Sequence, residues 1–157
     1  MWLKRGRRSL TGRKQRWRLE FQRLERRLLL SAPDLGISRL TGDDIIVPGQ
    51  TVEFEWDVKN WSSESATGMW TDGLYLSADS TWDPSDTLLG SDSAAEHSPL
   101  AGQSEYGVAM EVAIPPDAPT GLQQVLFVTD IYDEVDEALE FNNVFAWEVE
   151  VTDADLS

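Results

Sequence analysis

The strongest constraint on the fold is a period of two in the side chains of two separate stretches of the chain. Residues 51–59, TVEFEWDVK, place an apolar side chain at every second position and an acidic residue or lysine between them. Residues 106–114, YGVAMEVAI, repeat the period of two, with Gly107, Ala109, Glu111 and Ala113 between the larger apolar side chains. Successive side chains of a β-strand point to opposite faces, so both stretches predict strands with one buried face.

Five further stretches predict shorter strands, at residues 34–40, 71–77, 88–89, 123–130 and 144–151. Residues 41–50 are predicted as a turn and residues 60–68 as a polar loop. The run PPDAPTG, residues 115–121, is also a turn, because proline cannot donate a hydrogen bond within a central ladder. Seven short strands with no helical segment among them predict an all-β, two-sheet antiparallel sandwich.

The charge of the chain divides sharply near residue 33. Residues 1–32 hold 11 basic and 2 acidic residues, a net +9, whereas residues 33–157 hold 2 basic and 26 acidic residues, a net −24. The acidic part would repel phosphate backbones, which argues against nucleic-acid binding and favours cations as counter-ions. The sequence has no cysteine, which excludes disulfides and thiolate metal sites, and it has no apolar run of the roughly 20 residues needed to cross a bilayer.

Residues 1–32 form a basic segment with apolar side chains at helical spacing, namely Trp17, Phe21, Leu24 and Leu28. Three interpretations are open: a disordered leader, a helix on an anionic membrane, or an export and processing segment. The run RLERRLLLSA, residues 23–32, resembles the LEPR-XLL motif of large bacterial surface proteins but has Arg26 where the motif has proline. This resemblance implies an N-terminal sorting signal of an exported protein.

Three blocks of residues 33–152 resemble the CARDB domain, a cell-adhesion-related domain found in bacteria. The first is PDL at residues 33–35 with PGQTV at 48–52 and the region of Trp56. The second runs from Trp70 to Gly90, and the third from Pro119 to Asn143. The resemblance implies an immunoglobulin or fibronectin type III-like fold and an extracellular or cell-surface location. It also implies a protein or glycan partner at that surface.

Two acidic clusters have the oxygen chemistry that calcium prefers, although neither has EF-hand spacing. The first consists of Asp79, Asp83 and Asp86, and the second, weaker one of Asp130, Asp133 and Asp136. In an immunoglobulin-like topology the two loops lie at opposite ends, so they predict two independent Ca²⁺ sites or none. The alternative is that these carboxylates cap backbone groups in solvated turns.

Aromatic residues near loops allow a second kind of site. Trp61, Trp70 and Trp82 are candidates for stacking on a sugar ring, whereas Trp56 and Trp147 are expected in the core. The single histidine, His97, is expected at the surface, with no nucleophile paired to it. No catalytic residues or cofactor are therefore predicted.

These observations predict a non-catalytic adhesion or spacer module of a bacterial surface or secreted protein, with calcium stiffening its loops. The alternative is a carbohydrate-binding accessory module of a secreted enzyme. Residues 153–157, DADLS, echo the APDL of residues 32–35, which predicts that a linker or a further repeat begins there.

Overall fold

The computed structural model describes residues 31–153 of the protein, and eight strands make up its two sheets. The predictions made for the basic segment rest on residues 1–30, which lie outside this range. The strands are β1 (Leu35–Thr41), β2 (Ile45–Ile46), β3 (Thr51–Asn60), β4 (Thr71–Ser77), β5 (Thr87–Ser93), β6 (Glu105–Ala113), β7 (Gly121–Val128) and β8 (Val144–Val151). One 3₁₀ turn, Ala94–His97, follows β5 and precedes β6.

A three-stranded sheet, ordered β1-β3-β6, packs on a five-stranded sheet, ordered β2-β8-β7-β4-β5. Every pairing is antiparallel except that of β2 with β8, which is parallel. The predicted all-β, immunoglobulin-like sandwich is confirmed. The strand count differs because β2 lies inside residues 41–50, which were predicted as a turn.

The core follows from the alternation in β3. Its apolar side chains Val52, Phe54, Trp56 and Val58 are all buried, as the period of two predicts. Phe127 of the opposite sheet meets Phe54 and Trp56 edge to face, with ring centroids 5.8 and 5.7 Å apart. These contacts join the two sheets, because aromatic pairs in this geometry add attraction beyond the area they bury.

The described chain begins at one end of the sandwich and leaves at the other. The backbone N–H of Ala138, in the β7–β8 loop, donates to the carbonyl of Pro33. We call this the amino end. Strand β8 starts beside that loop and finishes at Val151, opposite Gly121, which marks the carboxyl end. Eight residues in extended conformation separate the two ends by about 26 Å.

Candidate functional site

In the β4–β5 loop, residues 78–86, the carboxylates of the first cluster bind the loop's own backbone. Asp79 accepts the N–H of Thr81 at 2.8 Å, and Asp86 accepts the N–H of Asp83 at 2.8 Å. Asp83 accepts the N–H of Ser85 at 2.6 Å and also its hydroxyl. These hydrogen bonds hold the pKa of Asp83 below its ordinary value. All three carboxylates therefore cap turns of this loop.

The β7–β8 loop, residues 129–143, uses its first aspartate in the same way. Asp130 has a positive φ of 50°, and its two carboxylate oxygens accept the N–H groups of Glu134 and Val135 at 2.9 and 2.8 Å. Asp133 and Asp136 are exposed. Within residues 31–153 no group of three or more histidine, cysteine, aspartate or glutamate side chains is arranged to hold a metal ion. Calcium binding at either loop stays a prediction.

The two loops lie at opposite strand ends, yet one side chain brings them together. Trp82 folds back over the outer face of the five-stranded sheet, edge to face with Tyr75 at 5.8 Å. It packs on a small buried cluster formed by Leu126, Val128 and Ile131. A pocket of about 230 Å³ lies between Trp82 and the β7–β8 loop, where it is also lined by Asp130, Asp133, Glu140 and Asn143. The pattern of apolar and polar residues in the sequence did not predict that Trp82 packs on the outer face of the sheet.

A buried carboxylate closes the amino end. Glu137 is only 6% exposed. One of its oxygens accepts the backbone N–H of Leu35, and the other accepts Nδ2 of Asn143 at 2.9 Å. Burial raises the pKa of Glu137 to about 8, against the lowering effect of these hydrogen bonds. Asn142 adds a second link by donating to Asp34 at 2.7 Å. The β7–β8 loop thus fixes the start of β1.

A second buried carboxylate lies between the sheets. Asp72, 1% exposed, accepts the hydroxyl of Tyr106 at 2.5 Å and that of Thr129 at 2.7 Å. Trp70 donates its indole N–H to the same tyrosine oxygen at 2.9 Å. Burial raises the pKa of Asp72 to about 6 and also raises the pKa of Tyr106. The expectation from sequence attached no role to Asp72.

The tryptophans predicted to face a ligand have three different environments. Trp70 is fully buried, so its proposed stacking role is wrong: its ring packs in the core and its N–H is used internally. Trp61 is 47% exposed, and the ammonium of Lys59 lies 4.4 Å from its ring centroid. Trp82 is half-buried and lines the pocket. Of the two expected core residues, Trp56 is buried and Trp147 is partly buried against the core.

His97 is half-buried rather than at the open surface. Its ring stacks on that of Tyr106, with centroids 4.0 Å apart and planes 6° apart. The histidine therefore covers the Asp72 network from one side. No helix among residues 31–153 has the length and apolarity to cross a membrane.

The fold and these loops define a small immunoglobulin-like β-sandwich module. The family model named CARDB matches residues 32–147, which is most of the chain. The chain therefore belongs to the CARDB family of cell-adhesion-related domains. A comparison with curated proteins gave no match.

Solved structures agree with the fold. A CARDB domain from Pyrococcus furiosus, crystallised in complex with di-metal ions, is 21% identical and has a TM-score of 0.57, covering 77% of this chain and 90% of its own. A domain of a cell surface protein from Methanosarcina acetivorans is 16% identical, with a TM-score of 0.53 and coverage of 77% and 93%. A β-glucosidase from Listeria innocua, 18% identical, matches over 16% of its own chain with a TM-score of 0.49, which carries no argument about activity.

The two buried carboxylates predict that the protein is more stable in mild acid. A carboxyl whose pKa is raised on folding binds its proton more tightly in the folded state, so stability falls as the pH rises towards the folded pKa. Glu137, with a pKa of about 8, predicts a fall between pH 5 and 8. The free energy of unfolding should fall by roughly 1 kcal/mol over this range. This is less than the full pKa shift would give, because solvent partly screens the charge.

Urea denaturation at several pH values measures this effect. Glu137→Gln should flatten the fall between pH 6 and 8. Asp72→Asn is the matched control and should flatten only the part between pH 4 and 6, because the pKa of Asp72 is about 6. An unchanged pH profile in both variants would contradict the assignment of these two groups.

Proposed function

We propose that residues 33–152 form a non-catalytic spacer and adhesion module of a bacterial surface or secreted protein. The observation that carries the proposal is the placement of the two chain connections at opposite ends of the sandwich, with Pro33 at the amino end and Val151 at the carboxyl end. Membership of the CARDB family supports an adhesion role. Neighbouring repeats of the same chain and a protein or glycan at the cell surface are the proposed partners. Labelling of intact cells with an impermeant reagent tests the location.

The strand pairings suit a module that carries load along its length. A force applied between Pro33 and Val151 runs parallel to the strands. Inter-strand hydrogen bonds are perpendicular to antiparallel strands, so those between β8 and its neighbours are loaded together and not one after another. Strand β8 pairs with β7 over its full length, from Val144 to Val151, and its last two residues also pair with β2. At the other end, Glu137 holds the start of β1.

Single-molecule force spectroscopy tests this arrangement, and the absence of native cysteine allows unique attachment points. The doubly substituted chain Ala32→Cys with Asp153→Cys should unfold at a clearly higher force than the chain Asp117→Cys with Asp153→Cys. The two cysteines of the second chain lie at the same end of the neighbouring strands β7 and β8. A force between them therefore breaks the hydrogen bonds of these strands one by one. Equal unfolding forces would contradict the load-bearing function.

The proposal includes a Ca²⁺ that stiffens the loops. The carboxylates of Asp79, Asp83 and Asp86 occupy one nine-residue loop, and each also caps that loop's backbone. Carboxylate oxygens can accept a hydrogen bond and bind a cation together. The di-metal complex of the Pyrococcus furiosus relative supports metal binding within the family.

Calorimetric titration with CaCl₂ measures this part of the proposal. At millimolar calcium we expect heat of binding and a rise of a few degrees in the melting temperature, since a ligand that binds only the folded state stabilises it. Asp86→Asn should weaken the effect at the β4–β5 loop, whereas Asp136→Asn should weaken it only if the second cluster is the site. Absence of both heat and a temperature shift in the wild-type chain would remove calcium from the proposal.

The alternative function is a carbohydrate-binding accessory module. Trp82 favours it, because its ring lines a pocket that also contains Asp130 and Asn143, and sugar sites combine an aromatic face with polar acceptors. Glycan-array screening separates the two functions. The alternative expects binding that Trp82→Ala abolishes and Trp61→Ala leaves intact. Binding to no glycan, with the mechanical result above, would leave the spacer function alone.

A further inference from the structure

The β7–β8 loop presents negative charge that the described residues do not neutralise. Within residues 31–153 the only lysine and arginine are Lys59 and Arg39. Arg39 lies 3.0 Å from Asp57 and 3.7 Å from Glu55, and Lys59 lies over the ring of Trp61. Within residues 31–153 neither cation forms an ion pair with a carboxylate of the loop, although Lys59 lies beside it over Trp61. Its exposed carboxylates are those of Asp133, Glu134, Asp136 and Glu140.

The same loop also exposes large apolar side chains. Tyr132 is 68% exposed, Phe141 81% and Leu139 42%. Trp61 extends this region, because its indole nitrogen and the side chain of Asn142 both lie within 3.3 Å of the space beside Gly36. We call these apolar residues and the four exposed carboxylates the acidic loop surface. Large apolar side chains exposed together on one loop favour an interaction site in soluble proteins.

The pocket beside this surface contains a buried acceptor without a donor. Asn143 lines the pocket and is 6% exposed. Its Nδ2 donates to Glu137, but Oδ1 has no hydrogen-bond partner among the described residues. A buried acceptor of this kind calls for a donor that the described residues do not supply. The other polar groups lining the pocket include three carboxylates, and Trp82 supplies an aromatic face. Acceptors around an aromatic ring are the environment that an arginine guanidinium fits best.

We propose that the chain's own basic segment, residues 1–32, docks on the acidic loop surface and places an arginine in the pocket. The segment carries a net charge of +9 against −24 for residues 33–157. It also carries apolar residues, Trp17, Phe21, Leu24 and Leu28, to cover the exposed side chains of the loop. Charge complementarity and apolar cover therefore point to the same occupant.

The position at which the segment joins the domain makes this contact short-range. Pro33 accepts the N–H of Ala138, and Asp34 accepts from Asn142, so the chain meets the domain at the β7–β8 loop itself. Arg27 lies six positions before Pro33, a reach of up to about 20 Å. A tethered segment so close to its site has a high effective concentration, so weak individual contacts suffice.

Limited digestion of the full chain with trypsin tests the proposal, since 11 of its 13 cleavable residues lie between Lys4 and Arg27. The loop triple variant is Asp133→Asn, Asp136→Asn and Glu140→Gln. The matched control is Glu53→Gln, Glu111→Gln and Asp117→Asn, which removes the same charge from exposed positions at the carboxyl end. Mass spectrometry follows cleavage in the segment, and thermal melting checks that both variants fold.

In low salt the segment should be cleaved slowly in the wild-type chain and in the control. Cleavage should be about tenfold faster in the loop triple, because each exposed ion pair strengthens docking by a factor of about two and the triple variant removes three of them. Wild-type protection should vanish in about 1 M NaCl, where charges are screened within about 3 Å. Phe141→Ser, which keeps every charge, should accelerate cleavage in the same direction.

Two results would overturn the proposal. Equal cleavage of the segment in the wild-type chain, the loop triple and the control would show that the surface does not hold it. Protection that increases with protein concentration would assign the surface to the segment of a second copy, because contact within one chain does not depend on concentration. Neither result bears on the spacer function, which the force measurement tests independently.

Discussion

The position of the two sheets depends on the buried carboxylate of Asp72. Strand β4 carries this residue, and Tyr106, which donates to it, belongs to β6 of the opposite sheet. A buried carboxylate that loses its donors costs several kcal/mol, so sliding one sheet over the other is strongly disfavoured. The aromatic contacts of Phe127 supply attraction between the sheets. The hydrogen bond from Tyr106 adds direction, since it crosses between the sheets, whereas Thr129, which donates to the other oxygen, follows β7 in the same sheet as β4.

Glu137 applies the same principle at the amino end. Its donors come from Leu35, at the start of β1, and from Asn143, just before β8, which are far apart in the sequence. The burial of this one side chain therefore fixes where the chain joins the domain. A spacer needs this end to be fixed, because a loosely held β1 would extend under load before the sheets resisted the force. The raised pKa of Glu137 follows from this position.

Sequence alone predicted the strands whose one face is buried, because burial in β3 and β6 leaves a period of two that can be read directly. It did not predict β2, since two residues are too few to form a pattern and the pairing with β8 spans about 100 residues. Asn60 was assigned to a polar loop, but it is fully buried at the end of β3, where its side chain accepts from Asp34 and Ser62. Polar residues that bind distant partners have no periodic signal.

The site was predictable to the same limited degree. The acidic residues of both loops were recognised, but which carboxylates are buried and which cap turns depends on contacts between distant segments. Asp79, Asp83 and Asp130 already bind backbone N–H groups of their own loops. These hydrogen bonds fix the backbones of the two loops, so a cation or a basic segment that binds there would neutralise charge on a preformed surface. Such binding is electrostatic and exposed, so salt weakens it while leaving the core and the two buried carboxylates unchanged.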